Sequence, residues 1–211
     1  LYLRILIVKR LEEGGLDMIT LTHVTLKTRQ VILQDVDFTF EKGRIYGLLA
    51  INGSGKTTLF RAVSKLLPLS SGHIAVSPSL FYYESVEWLD GNLSGMDYLR
   101  LIKNIWKSDL NLGDEIAYWE MSDYINLPIR KYSLGMKQRL VITMYFLSQA
   151  KCWLMDEITN GLDEYYRQKF FDRLAQIDRK EQLVLLSSHY KEELMEICDS
   201  IVTIHQGQIE E

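Results

Sequence analysis

The run Ala50-Ile51-Asn52-Gly53-Ser54-Gly55-Lys56-Thr57-Thr58 constrains this chain more than any other stretch. It follows Ile45-Tyr46-Gly47-Leu48-Leu49, a short apolar segment of the kind that forms a strand buried on both faces. It opens a helical pattern over residues 56–67. A glycine-rich loop between strand and helix lets backbone N–H groups curl around phosphate oxygens, and the helix start adds partial positive charge. This reading makes Asn52, Gly53, Ser54, Gly55, Lys56, Thr57 and Thr58 nucleotide-binding residues. Lys56 would reach the β- and γ-phosphates, and Thr57 would hold Mg²⁺. The loop's usual first glycine is replaced by Ala50, which is harmless at negative φ and costly at positive φ.

The surrounding pattern supports an α/β fold. Residues 19–26 alternate polar and apolar, a second strand spans 31–40, and Glu41-Lys42-Gly43 reads as a turn, together predicting an antiparallel edge sheet. Apolar strands at 152–155 and 183–187 are each followed by helix-like sequence, which implies parallel βαβ units. A small hairpin closes the chain at 201–209. Residues 84–148 read as helical, with patterns over 94–106, 114–124 and 134–147, and part of this stretch is expected to be a helical subdomain inserted into the core. Residues 1–17 fit nothing that follows. They are either an extension ahead of a domain spanning 18–211, with Met18 its natural start, or an extra edge strand.

The strand Cys152-Trp153-Leu154-Met155 runs into Asp156 and Glu157. Carboxylates at the C-terminal end of a parallel strand sit where α/β proteins bind ligands. Asp156 fits a Mg²⁺ partner, and Glu157 fits a general base that polarises an attacking water.

Composition narrows the class. A net charge of −4 over 211 residues lacks the basic footprint of a nucleic-acid binder. No stretch reaches the ~20 apolar residues that span a bilayer. The two cysteines, Cys152 and Cys198, have neither disulfide-framework nor zinc-site spacing, and a reducing cytosol is their natural compartment.

Several further motifs occur in a telling order. Tyr132-Ser133-Leu134-Gly135-Met136-Lys137-Gln138-Arg139 resembles the signature motif of ABC transporter ATPase subunits. Asn160-Gly161-Leu162-Asp163 resembles that family's D-loop, and Ser187-Ser188-His189 resembles its switch histidine. The resemblance covers most of residues 19–211 and implies a P-loop NTPase core with an antiparallel β edge subdomain and an inserted helical subdomain. It also implies an ATPase with ATP and Mg²⁺ as its ligands, and two such chains pairing head to tail. Ser133 and Gly135 of one chain would then meet the other's ATP, with His189, Lys56 and Glu157 as the catalytic set. A separate membrane-spanning permease subunit would be the driven partner. The location expected is the cytoplasmic, inner face of the cell membrane, with a homodimer favoured and no nucleic acid bound.

Two departures stand out. No aromatic residue near Lys27-Thr28-Arg29 is available to stack on adenine, which leaves adenine weakly held, stacked on Arg29, or held by residues elsewhere in the chain. The family's Q-loop glutamine is missing after Phe81-Tyr82-Tyr83, where Glu84 stands as a candidate metal ligand. The form of the signature resembles that of bacterial exporters of drugs, peptides or antimicrobials. The alternatives are a soluble ATPase of the iron–sulfur assembly type and a weakly hydrolysing nucleotide-dependent scaffold. Among the aromatics of the helical region, Trp88, Tyr98, Trp106, Tyr118 and Trp119 are read as core, with a subset able to line a cleft for a membrane subunit's coupling helix.

Overall fold

The computed structural model describes residues 18–49, 54–76 and 79–211. The segment 1–17 and the loop residues Ala50, Asn52 and Gly53 lie outside the described residues.

The chain builds two sheets. Strands β1 (Ile19–Lys27) and β2 (Val31–Phe40) pair antiparallel, and β4 (Ser71–Val76) joins the other edge of β1. The second sheet takes β3 (Ile45–Leu49), β5 (Leu80–Tyr82), β6 (Cys152–Asp156), β7 (Leu183–Ser188), β8 (Ser200–His205) and β9 (Gln208–Glu210). Its order is β5-β6-β7-β3-β8-β9, parallel except for the terminal β8–β9 hairpin.

The central strands read as continuous apolar runs because both faces are covered. Their side chains still alternate. Tyr46, Leu48, Leu80, Tyr82, Cys152, Leu154, Leu183 and Leu185 pack toward the antiparallel sheet and helix α1 (Lys56–Val63). Ile45, Phe81, Trp153, Met155, Val184 and Leu186 pack toward the helices of the other face.

Between Glu84 and Ser148 the chain forms helices α2 (Gly95–Trp106), α3 (Leu112–Tyr118) and α4 (Leu134–Ser148), with short single-turn segments. Helices α5 (Glu164–Leu174) and α6 (Lys191–Ile197) follow β6 and β7. α2 opens on a capping box in which Ser94 and Asp97 satisfy each other's end of the helix. α4 is buried around its whole circumference from Leu140 to Leu147 and apolar there except for Thr143, whose hydroxyl donates to Arg139 O.

Three sequence expectations are corrected. The first helix stops at Val63 instead of running to residue 67, and Lys65 just beyond it is left-handed at φ 60°. The helix expected over 114–124 runs from Leu112 to Tyr118. Asn111 caps its start by accepting from the Gly113 and Asp114 amides, and Glu120 turns left-handed at φ 54° beyond its end. Strand β4 was not expected at all. Its sequence carries no alternation, and pairing with β1 imposes the strand.

Of the aromatics singled out, Tyr98 and Trp119 are buried, Trp88 and Trp106 are partly buried, and Tyr118 is exposed. Trp119 is fully buried against Tyr118, Phe146 and Arg173. Trp119→Ala should therefore cost about 3–5 kcal/mol, the range for deleting a core aromatic. Urea unfolding of the two proteins measures this, and a cost below about 1 kcal/mol would show that the helical region collapses around the gap.

Candidate nucleotide and catalytic site

The functional side chains gather at the carboxyl ends of β3, β6 and β7, the edge where open α/β sheets bind ligands. α1 begins at Lys56 directly after Gly55, whose φ of 102° suits glycine alone. A Cβ on Gly55 would stand 2.2 Å from Ile32 Cγ2, so β2 packs against Gly55 and leaves no room for a side chain there. Lys56 is 5% exposed, and its burial lowers its pKa against the opposing charges of Glu157 and Asp156. The hydroxyl of Ser54 is buried without a hydrogen-bond partner among the described residues.

Asp156 ends β6 with both oxygens engaged. Thr57 Oγ1 donates to Oδ2 at 2.6 Å, and Ser187 Oγ donates to Oδ1 at 2.7 Å. Burial pushes the Asp156 carboxyl above its ordinary range, these hydrogen bonds pull it back, and the Glu157 charge pushes it further up.

Glu157 adopts φ 49°, a left-handed conformation that costs a non-glycine residue on the order of 1 kcal/mol or more. Its amide donates to Ser187 Oγ at 2.9 Å, so one serine orders both acidic residues. His189 Nε2 lies 2.5 Å from Glu157 Oε1, and Lys56 Nζ lies 3.8 Å from the same oxygen. Asn160 Nδ2 donates to Oε2 at 2.8 Å. His189 Nδ1 meets Lys56 Nζ at 3.3 Å. Lys56, Glu157 and His189 thus form one charged knot, drawn from α1, β6 and β7.

Two clefts open from this knot. One of about 210 Å³ is lined by Thr28, Gln30, Ile32, residues 54–58 and Glu157. Arg29, the stacking candidate, is not among that lining. The other, of about 320 Å³, includes Thr57, Glu84, Leu134, Gln138, Asp156, Glu157 and Asn160. Glu84 faces this cleft with its carboxylate paired to Arg61.

Ser133 is the N-cap of α4, its hydroxyl accepting from the Met136 amide at 3.2 Å. It is exposed, as is Leu134 at 52%. A Cβ on Gly135 would come within 3.0 Å of Gly161 O, and one on Gly161 within 2.6 Å of the Leu134 side chain. The start of α4 and the Asn160-Gly161 turn therefore form a single surface.

Several supporting residues had escaped sequence reasoning. Ser187, Asn160 and Gln138 were visible only as letters within motifs. Gln138 Nε2 donates to Ile158 O at 2.5 Å and ties α4 to the segment after the acidic pair. Tyr145 Oη accepts from the Tyr83 amide at 3.1 Å and donates to Leu154 O, joining α4, β6 and the end of β5. Only their position along a helix facing β6 distinguishes these from ordinary core residues.

A glycine-bounded phosphate loop, an acidic strand end and a histidine at the next strand define a nucleotide-hydrolysing α/β domain. Residues 33–160 match the ABC transporter family. The chain is 31% identical over 207 residues to the uncharacterized ABC transporter ATP-binding protein YybJ of Bacillus subtilis, covering 92% of this chain and 95% of that protein. It is likewise 31% identical over 200 residues to the capsule polysaccharide export ATP-binding protein CtrD of Neisseria meningitidis, covering 91% and 92%. A solved structure described as the ATP binding subunit of an ABC transporter shares the fold, with a TM-score of 0.79 at 22% identity over 92% of this chain and 88% of that one. The chain belongs to the ABC transporter family, as an ATP-binding subunit whose ATPase activity is coupled to transport. Subunits of this family work with membrane permease components. No helix among the described residues is long and apolar enough to cross a membrane.

Proposed function

We propose that this chain powers export through a separate membrane-spanning permease, as one of two copies that close head to tail around ATP on the inner face of the membrane. Under this reading residues 18–211 are the ATPase domain, and its helical subdomain lies within about 84–148. The observation that carries the reading is the knot of Lys56, Glu157 and His189 beside the Thr57–Asp156 pair.

ATP's phosphates would lie on residues 52–58. The Ser54 hydroxyl, buried without a hydrogen-bond partner among the described residues, fits such a ligand. Thr57 and Asp156, two adjacent hard oxygen donors, would hold Mg²⁺. When bound, that ion neutralises charge on the phosphate oxygens.

The charged knot has a chemical consequence. Glu157 Oε1 faces both His189 and Lys56, and its Oε2 accepts from Asn160, so in the ligand-free chain these groups compete with a water for the carboxylate. A triphosphate is a stronger competing acceptor for Lys56 and His189. Their transfer to phosphate oxygens frees Glu157 Oε1 to orient the attacking water as general base. Substrate arrival thereby arms the base.

Ser133 and Leu134 are exposed and Gly135 is partly buried at a helix start beside the Asn160-Gly161 turn. A helix N-terminus on an exposed apolar surface suits the γ-phosphate of a partner chain's ATP. A homodimer is the simpler assembly for one chain type.

Export is supported by the signature's resemblance to drug, peptide and antimicrobial exporters, and by CtrD being a capsule polysaccharide export protein. Under this reading the membrane subunit selects the cargo. The test is Mg-ATP hydrolysis by the purified chain over a range of protein concentrations. The specific rate should rise with concentration and level off as pairs form, and a rate independent of concentration would speak for a monomeric ATPase.

A further inference from the structure

Arg61, one turn into α1 beyond the phosphate-loop residues, reaches Glu84 beyond the end of β5. Its Nε donates to Glu84 Oε2 at 2.6 Å, and its Nη2 donates to Oε1. Tyr82 Oη adds a third donor to Oε2 at 3.2 Å. The Glu84 side chain is only 9% exposed, and both of its oxygens are taken. Planar guanidinium against carboxylate is the strongest of the ordinary ion-pair geometries.

This pair sits in a cleft that is already acidic. Glu84 shares the cleft wall with Thr57, Asp156 and Glu157. An unpaired Glu84 would add a third carboxylate to that wall. Three carboxylates around one cleft would attract a divalent cation without any nucleotide. With Arg61 in place the wall presents two.

We propose that Arg61 is a positioning residue for cation loading: it neutralises Glu84 and holds that carboxylate out of the coordination shell at Thr57 and Asp156. The cation is then taken up together with the triphosphate, which supplies the missing oxygen ligands. Glu84 is thereby a counter-ion on the cleft wall, and its part in cation binding is suppressed by Arg61. This inference rests on Thr57 and Asp156 being the protein ligands of the cation.

The test is a Mn²⁺ titration of the purified, nucleotide-free chain, followed by the electron paramagnetic resonance signal of the free ion. Arg61→Gln should bind Mn²⁺ roughly fivefold more tightly than the parent chain, the scale of one partly exposed ion pair. The gain should vanish in Arg61→Gln combined with Glu84→Gln. Arg61→Lys, which keeps the charge, should stay close to the parent, and Glu84→Gln alone should leave affinity within about twofold. A merely structural pair would lower the melting temperature of Arg61→Gln without tightening Mn²⁺ binding, and that result overturns the proposal. So does weaker binding in Glu84→Gln alone, which would make Glu84 a ligand. Asp156→Asn in the Arg61→Gln background separates the two levels of the argument. If the tightened binding survives that substitution, the cation lies elsewhere and the site reading itself fails. If it is lost, the cation is at Asp156 and the gain belongs to Arg61.

Discussion

Glu157→Gln is expected to lower ATP turnover by about 10²–10⁴-fold, the range for a lost general base, while ATP still binds. The substitution is nearly isosteric, so the Asn160 and Ser187 contacts that hold the left-handed backbone at this position can persist. It removes the negative charge that faces Lys56 and His189. Both would then be more available to phosphate oxygens, so ATP affinity should hold or rise. A chain that binds but cannot hydrolyse should accumulate as an ATP-held pair. Phosphate release, ATP titration and light scattering measure the three consequences. Retention of more than a tenth of the parent rate would require a different base.

Asp156→Asn should also abolish most activity, by about 10²-fold or more, because it takes away the charged oxygen donor assigned to the Mg²⁺ that neutralises the reacting phosphate. Its effect on the ligand-free fold should have the opposite sign. Burial is the largest cause of the raised Asp156 pKa, followed by the opposing hydrogen bonds from Thr57 and Ser187. A group whose folded pKa lies above its unfolded value stabilises the fold fully below the unfolded value, here near 3.8. That contribution is lost as pH rises through the folded value. At neutral pH the ligand-free chain therefore carries the cost of an ionised, buried Asp156. Asn is neutral at every pH and can still meet Thr57 and Ser187. The variant should melt a few degrees higher than the parent at pH 7, with the difference shrinking toward pH 4. Thermal unfolding across that range checks it. A variant that melts lower at pH 7 would show that the hydrogen bonds to the carboxylate outweigh its burial.

The two predictions share a physical theme. The site keeps buried charge that destabilises the empty chain and is compensated by the ligand. Such residues are legible in sequence because their chemistry dictates their type. Lys56, Thr57, Asp156 and Glu157 stand out by their places beside apolar strands and His189 by its resemblance to the family's switch histidine, and the fold brings the five together. The class of fold was readable for the same reason: strands apolar on both faces require cover on both faces.

What escaped sequence reasoning depends on tertiary context. β4 has no period of its own and exists because β1 offers an edge. α3 ends at Tyr118 although the helical pattern continues, and the left-handed Glu120 that follows is held by Lys169, Tyr165 and Tyr166 from α5. Those hydrogen bonds hold the Glu120 carboxyl down to about 2. Glu84 was legible as a candidate metal ligand, but its pairing was not, because Arg61 lies 23 positions away on a different element. Ser187 looked like a strand end, yet it orders both acidic residues from the neighbouring strand. No local pattern encodes a contact of that kind.

In the proposed assembly one catalytic site is built from two chains, with Lys56 from one and Ser133 from the other. The most direct measurement mixes two inactive variants, Lys56→Ala and Ser133→Glu, in equal amounts and follows ATP hydrolysis. Random pairing makes half of the pairs mixed, and each mixed pair carries one intact site of two, so roughly a quarter of the parent rate per chain should return. Folded variants whose mixture stays as inactive as either alone would contradict a site shared between chains.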